Sequence, residues 1–111
     1  MSAAAGTHVV NNADASRYEI LSDGELAGFT TYHRHATRIV FLHTEIDPRH
    51  RGRGLATELA RHAVQDAAAR GLTIVPVCPV VAAWLREHPD AADDVDWEAA
   101  AALSGGGRTA P

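Results

Sequence analysis

Asp47-Pro48-Arg49-His50-Arg51-Gly52-Arg53-Gly54-Leu55-Ala56 is the stretch whose reading decides the fold of this chain. Residues 38–46, just before it, are rich in β-branched and aromatic side chains and read as a strand. Just after it, Ala56, Leu59, Ala60, Ala63 and Ala67 recur at helical spacing, with Glu58, Arg61, Gln65 and Asp66 mostly on the other side. The ten residues therefore join a strand to a helix. Gly52 and Gly54 permit close approach of backbone to a ligand, and the first N–H groups of a helix have no internal partners. Together with the helix dipole they make an anion site, to which Arg49, Arg51 and Arg53 add three guanidinium groups. A pyrophosphate fits such a loop; the plainer alternative is a solvated turn. The loop lacks the Lys-Ser/Thr ending of a nucleotide P-loop and the third glycine of a dinucleotide fingerprint.

Working outward, residues 17–21 and 25–32 are strand-like and flank Ser22-Asp23-Gly24, a hairpin signal. Residues 34–37 form a second polar turn before the third strand. Downstream, Gly71 caps the helix after Arg70. Residues 72–77 suit a strand buried on both faces, although Pro76 sits badly in a central strand. Pro79 opens a second helix with Val81, Trp84, Leu85 and His88 on one face, and His88-Pro89 stops it. Residues 90–103 give a last short helix packing Val95, Trp97 and Leu103, and Trp84 and Trp97 read as core. The expected class is α+β: an antiparallel three-stranded meander followed by a β-α-β-α unit. Residues 1–14 read as a flexible N-terminus, 15–103 as a single domain, and 104–111, with Gly105-Gly106-Gly107, as a flexible tail.

Composition narrows the function classes. With 111 residues, 46% hydrophobic and 22% charged, the chain suits one globular domain. The formal net charge of -4 argues against nucleic acid as a partner, despite the Arg-rich loop. One cysteine, Cys78, rules out an intramolecular disulfide framework. Residues 1–12 have neither a basic start nor a long apolar run, and nothing has the apolar length of a membrane span, so a cytoplasmic protein is expected.

Three further residues carry candidate chemistry. His43 and Glu45 lie two apart on a strand and so share a face, suited to proton transfer or, equally, to structural hydrogen bonds and ion pairs. Cys78 directly precedes a helix, which favours a thiolate; the alternatives are a small apolar filler or a pocket wall. His33, His35 and His43 make at best a weak metal set, and none is expected.

Arg49-His50-Arg51-Gly52-Arg53-Gly54 resembles the Q/R-x-x-G-x-G/A signature of the Gcn5-related N-acetyltransferases (GNAT), and the order of elements resembles that family's core. His43-Thr44-Glu45 and Cys78 followed by His88-Pro89 resemble a minimal, YjdJ-type subgroup. The resemblance spans residues 18–90. It implies acetyl-CoA or coenzyme A held by Arg49, His50, Arg51, Gly52, Arg53, Gly54 and Leu55, with backbone near Ile46 pairing with pantetheine. It also implies a sheet splayed between the strands flanking the helix, with Pro76 facing that gap. Glu45 would be a general base through water, assisted by His43, and Cys78 a nucleophile or acyl-pocket wall. The chain departs from the family in lacking a Tyr between Pro79 and Pro89 for a general acid, and in having a tight hairpin where acceptor-binding helices stand. Two functions are therefore expected to compete: an N-acyltransferase acting on a small amine or protein amine, and a non-catalytic acyl-CoA-binding module. An RNA-binding loop is a distant third. The edges of so small a sheet leave a homodimer open.

Overall fold

Asp23 and Gly24 both adopt positive φ, 51° and 82°, the combination a type I′ hairpin requires. Around this turn the computed structural model, which describes residues 6–106, builds one sheet. Its strands are β1 (Thr7–Asn12), β2 (Arg17–Ser22), β3 (Glu25–Arg34), β4 (Arg38–Ile46) and β5 (Thr73–Pro76), ordered as in the sequence. The first four run antiparallel, and β5 lies parallel to β4 after a crossover through helix α1 (Leu55–Ala69). Helices α2 (Pro79–Glu87) and α3 (Trp97–Ala101) follow. The α+β class is as expected, with four strands in the meander where three were expected.

The extra strand corrects the reading of the N-terminus as flexible through residue 14. Thr7 to Asn12 pair with β2 from Ser22 back to Arg17. The chain then turns through Ala13–Ala15, where the Asn12 side chain accepts a hydrogen bond from the Ala15 N–H (3.3 Å) and Ser16 takes a left-handed φ of 54°. Residues 1–5 lie outside the described residues, as does the part of the expected tail from 107 on; residues 102–106 continue α3 as a wider turn.

Strand alternation gives the sheet two faces. Tyr18, Ile20, Phe41 and Ile74 face α1, which buries Leu55, Leu59, Ala60, Ala63, Val64 and Ala67 against them. The apolar stripe of α1 thus matches its expected period, and its end is a Schellman cap: Gly71 has φ 74°, and Leu72 N–H donates to Ala67 C=O (3.1 Å). Helix α2 packs beside α1 through Val81, Trp84 and Leu85. The opposite face is covered at β4 and β5 by α3, where Ala100 meets Val40 and Val75. Small residues make that contact, so two expectations fail: Trp97 is 38% exposed, lying under the Arg86 guanidinium at 4.8 Å, and Leu103 is exposed. Val95 does pack against the core, as expected.

Parallel pairing of β5 with β4 covers only Arg38 to Phe41, and Cys78 N–H closes it on Phe41 C=O (2.8 Å). Beyond that point β4 stays paired with β3 but has no partner on the β5 side, so the sheet splays as expected. Pro76, however, does not face the gap. Ile74 N–H donates to Asp94 C=O on the side away from β4, and strand alternation puts the Pro76 nitrogen on that same outer side. The proline is tolerated because β5 is nearly an edge strand there. No helix among the described residues is long and apolar enough to cross a membrane.

Candidate functional site

The β3–β4 ladder shifts register between Thr31 and Tyr32, opposite His43 and Phe41, so Leu42 is an extra residue in β4. The bulge resets which backbone groups face which neighbour. Asp47 N–H donates to Ala27 C=O (2.8 Å), so Asp47 and, two residues back, Glu45 turn their backbone groups to β3. Thr44 and Ile46 turn theirs the other way, into the gap left by β5. Their side chains lie on the helical face: Thr44 Oγ1 bonds Thr30 Oγ1 (2.9 Å) and meets Cys78 Sγ (3.0 Å). His43 and Glu45 occupy the other face, more than half exposed, with His43 Nε2 and Glu45 Oε2 2.9 Å apart. An open groove of about 630 Å³ runs along this end of β4, bordered by His43, Glu45, Ile46, Asp47 and Arg51.

The loop borders the groove through Pro48 and Arg51 and leads on to the N-terminus of α1. Gly52 and Gly54 have φ of 80° and 75°, and a Cβ built on either would meet no atom within 4 Å. These positions need glycine for their conformation and have open space above them. Gly54 is the N-cap of α1 and makes no side-chain cap, so no protein side chain at that position satisfies the first N–H groups of the helix. The site therefore fits an anion on the chemistry of its own donors.

The three loop arginines have different tasks. Arg49 is bound within its own turn: its Nε and Nη2 contact the two Asp47 carboxylate oxygens at 3.2 and 3.0 Å, and Glu25 lies 3.5 Å away. Hydrogen bonds from the Arg49 side chain and backbone N–H hold the Asp47 carboxyl down at about 2. Arg53 turns inward to Ser22 Oγ (3.0 Å) and to His50 Nδ1 (2.8 Å). Arg51 is the one loop arginine that borders the groove, and among the described residues its guanidinium makes no hydrogen bond or ion pair. His50, a candidate ligand from the sequence, is buried beneath the loop.

Cys78 is the N-cap of α2 but is fully buried, 0% exposed, in the main core. The structure thus brings His43, Glu45, Ile46 and, from the loop, Arg51 together along one groove; Arg49, His50, Gly52, Arg53, Gly54 and Leu55 lie outside its lining, as does the buried Cys78. His88 stands apart, stacked on Trp84 at 4.2 Å. Among the described residues no three His, Cys, Asp or Glu side chains are grouped to hold a metal. Sequence reasoning missed Thr44, Ser22 and Glu25. Thr44 was recoverable from alternation between His43 and Glu45; the other two contact the loop only across the fold.

The profile of the GCN5-related N-acetyl-transferase family matches residues 17–95, most of the chain. The chain belongs to that family. This GNAT domain is accordingly of the acyltransferase type, and the match covers every strand of the groove and the whole loop between β4 and α1. No curated protein matches the chain.

Proposed function

We propose that this GNAT domain is an acyl-CoA-dependent N-acyltransferase that moves acetyl from acetyl-CoA to an amine. The observation carrying this reading is the glycine-flanked, uncapped N-terminus of α1, at the mouth of the gap where β4 outruns β5. The backbone N–H groups of residues 52–55 and the unpaired Arg51 would hold the pyrophosphate, while Ile46 offers its backbone to the pantetheine amides. Glu45 is the general base through water, oriented by His43 at 2.9 Å, and Cys78 with Thr44 walls the acyl end. His43-Thr44-Glu45, Cys78 and His88-Pro89 support assignment to the minimal, YjdJ-type subgroup. The open groove suits a small amine or a protein amine as acceptor.

The test is thermal unfolding with and without coenzyme A and acetyl-CoA, for wild type and for Gly52→Asp combined with Gly54→Asp. Asp tolerates positive φ better than most residues and adds negative charge where the anion would sit. Ligand at about a hundredfold above Kd stabilises by roughly 2.7 kcal/mol, a rise on the order of 10 °C that the double variant should lose. No shift in wild type at millimolar ligand rejects the reading. Two observations favour a second reading, a non-catalytic acyl-CoA module: Cys78 is sealed from solvent, and residues 79–89 contain no Tyr acid. Thiol release from acetyl-CoA across a panel of amines separates the two, because the module binds without turnover.

A further inference from the structure

A chain of side chains ties the anion loop to the β2–β3 hairpin without offering the ligand a contact. His50 lies 2.8 Å from Arg53 Nη1 through Nδ1 and 3.2 Å from Glu25 Oε1 through Nε2. Arg53 Nη2 donates to Ser22 Oγ at 3.0 Å, and Ser22 is buried. A guanidinium can only donate, so Nδ1 accepts and the ring proton sits on Nε2, donating to Glu25. This arrangement needs a neutral imidazole. A proton on Nδ1 would remove Arg53's acceptor and set two cations side by side. Glu25 from β3 and Arg53 from the loop contact the His50 ring, and Asp47 lies within electrostatic reach of it.

Arg53 stands between Gly52 and Gly54, whose freedom would otherwise leave the loop with many conformations to lose on binding. Pinning Arg53 pins both glycines. We propose that Ser22 and Glu25 are positioning residues for the anion loop, acting through Arg53 and His50. The inference rests on the reading of the loop as a pyrophosphate cradle. It also reassigns Arg53 and His50 from ligand contacts to supports.

The experiment titrates dephospho-CoA, which keeps the pyrophosphate but lacks a phosphomonoester that would itself titrate near neutrality. Wild type, Ser22→Ala, Ser22→Thr, Glu25→Ala and His50→Gln are compared by calorimetry. Amide hydrogen exchange is followed in the ligand-free proteins. The expected result is a dissociation constant raised about three- to tenfold in Ser22→Ala and restored in Ser22→Thr. Exchange at residues 51–55 should quicken in Ser22→Ala while the interior of α1 stays protected. His50→Gln, whose amide can both accept from Arg53 and donate to Glu25, should bind more like wild type than Ser22→Ala does. Unchanged affinity in Ser22→Ala, with wild type binding, overturns the proposal alone. Absence of binding by wild type overturns the cradle reading and the proposal with it. Should Ser22→Ala fail to fold, unchanged affinity together with unchanged exchange at residues 51–55 in Glu25→Ala overturns it.

Discussion

Gly28 sits opposite Ile46 in the β3–β4 ladder, and its missing side chain is what lets the groove end of β4 lie where it does. A Cβ there would stand 2.5 Å from Ile46 Cδ1 and 2.7 Å from the Glu45 carbonyl oxygen. The Cδ1 ends a flexible side chain and can swing aside. The carbonyl belongs to the ladder and can move only with its strand. Ordinary contact begins near 3.4 Å, so in Gly28→Ala the β4 backbone must retreat by about 0.7 Å at Glu45. Overpacking of this kind costs about 2 kcal/mol, which for a domain of this size lowers Tm by roughly 10 °C. Gly24→Ala is the control. Gly24 has φ 82° and nothing within 4 Å of a Cβ, so it carries only the conformational cost of about 1 kcal/mol. Thermal unfolding of both variants, with and without coenzyme A, reads the outcome. Gly28→Ala should melt lower than Gly24→Ala and also bind coenzyme A more weakly, since Glu45 and Ile46 are displaced. Gly28→Ala melting no lower than Gly24→Ala would refute the claim that backbone crowding at Glu45 sets this position.

Arg51→Ala should weaken coenzyme A binding more than Arg49→Ala, because Asp47 and Glu25 already engage Arg49 while Arg51 is unpaired; calorimetry ranks the two. Burial first, and then the hydrogen bond to Asp66 (2.6 Å), raise the Tyr18 pKa far above the usual value. The folded state thus holds this proton more tightly than the unfolded one, and the stability it contributes is intact below about pH 10 and lost as pH rises further. Tyr18→Phe should cost about 1 kcal/mol at neutral pH and flatten that alkaline loss in urea titrations. The Asp47 carboxyl, held at about 2 against an ordinary 3.8, works in the opposite sense. Its contribution is present above the ordinary value and disappears as pH falls towards 2, so Asp47→Asn should remove that part of the acid dependence. If transfer is direct, Cys78→Ala retains turnover and Glu45→Gln loses it; the reverse ranking would establish Cys78 as the acyl carrier.

Much of this architecture is legible in the sequence where a local rule fixes it. Asp23-Gly24 supplies its own turn, the 3.6-residue stripe from Leu55 to Ala67 supplies α1, and Gly71 supplies its end. Strand β1 escapes because its turn uses no Gly or Pro: Asn12 caps it and Ser16 takes the left-handed conformation, a role its residue type does not announce. The burial of β1 alternates only partly, so its place depends on β2 rather than on its own pattern. Trp97 escapes for a related reason. A helix of five residues held by Ala99 and Ala100 against Val40, Val75 and Val77 has no room beneath it for an indole. In the site, glycine spacing was readable because it is a backbone property. The division of work among Arg49, Arg51 and Arg53 was not, since Asp47 is close in sequence but Ser22 and Glu25 reach the loop only through the fold.

The bulge at Leu42 bears on which groups can act on one atom. By resetting the alternation of β4 it sends Thr44 to the helical face with Cys78, and His43 with Glu45 to the other. The strand backbone lies between the two sets, and only its free edge, at Thr44 and Ile46, is open to both. A route through an acylated Cys78 requires the thiol to leave the Thr44 hydroxyl and emerge from full burial at that edge. A direct route requires only that an amine reach the edge from the Glu45 side, where the groove is already open. With no rearrangement to make, the direct route has the lower conformational cost. The burial of Cys78 then fits a wall against the acyl group, kept in place by the same Thr44 whose backbone faces the gap.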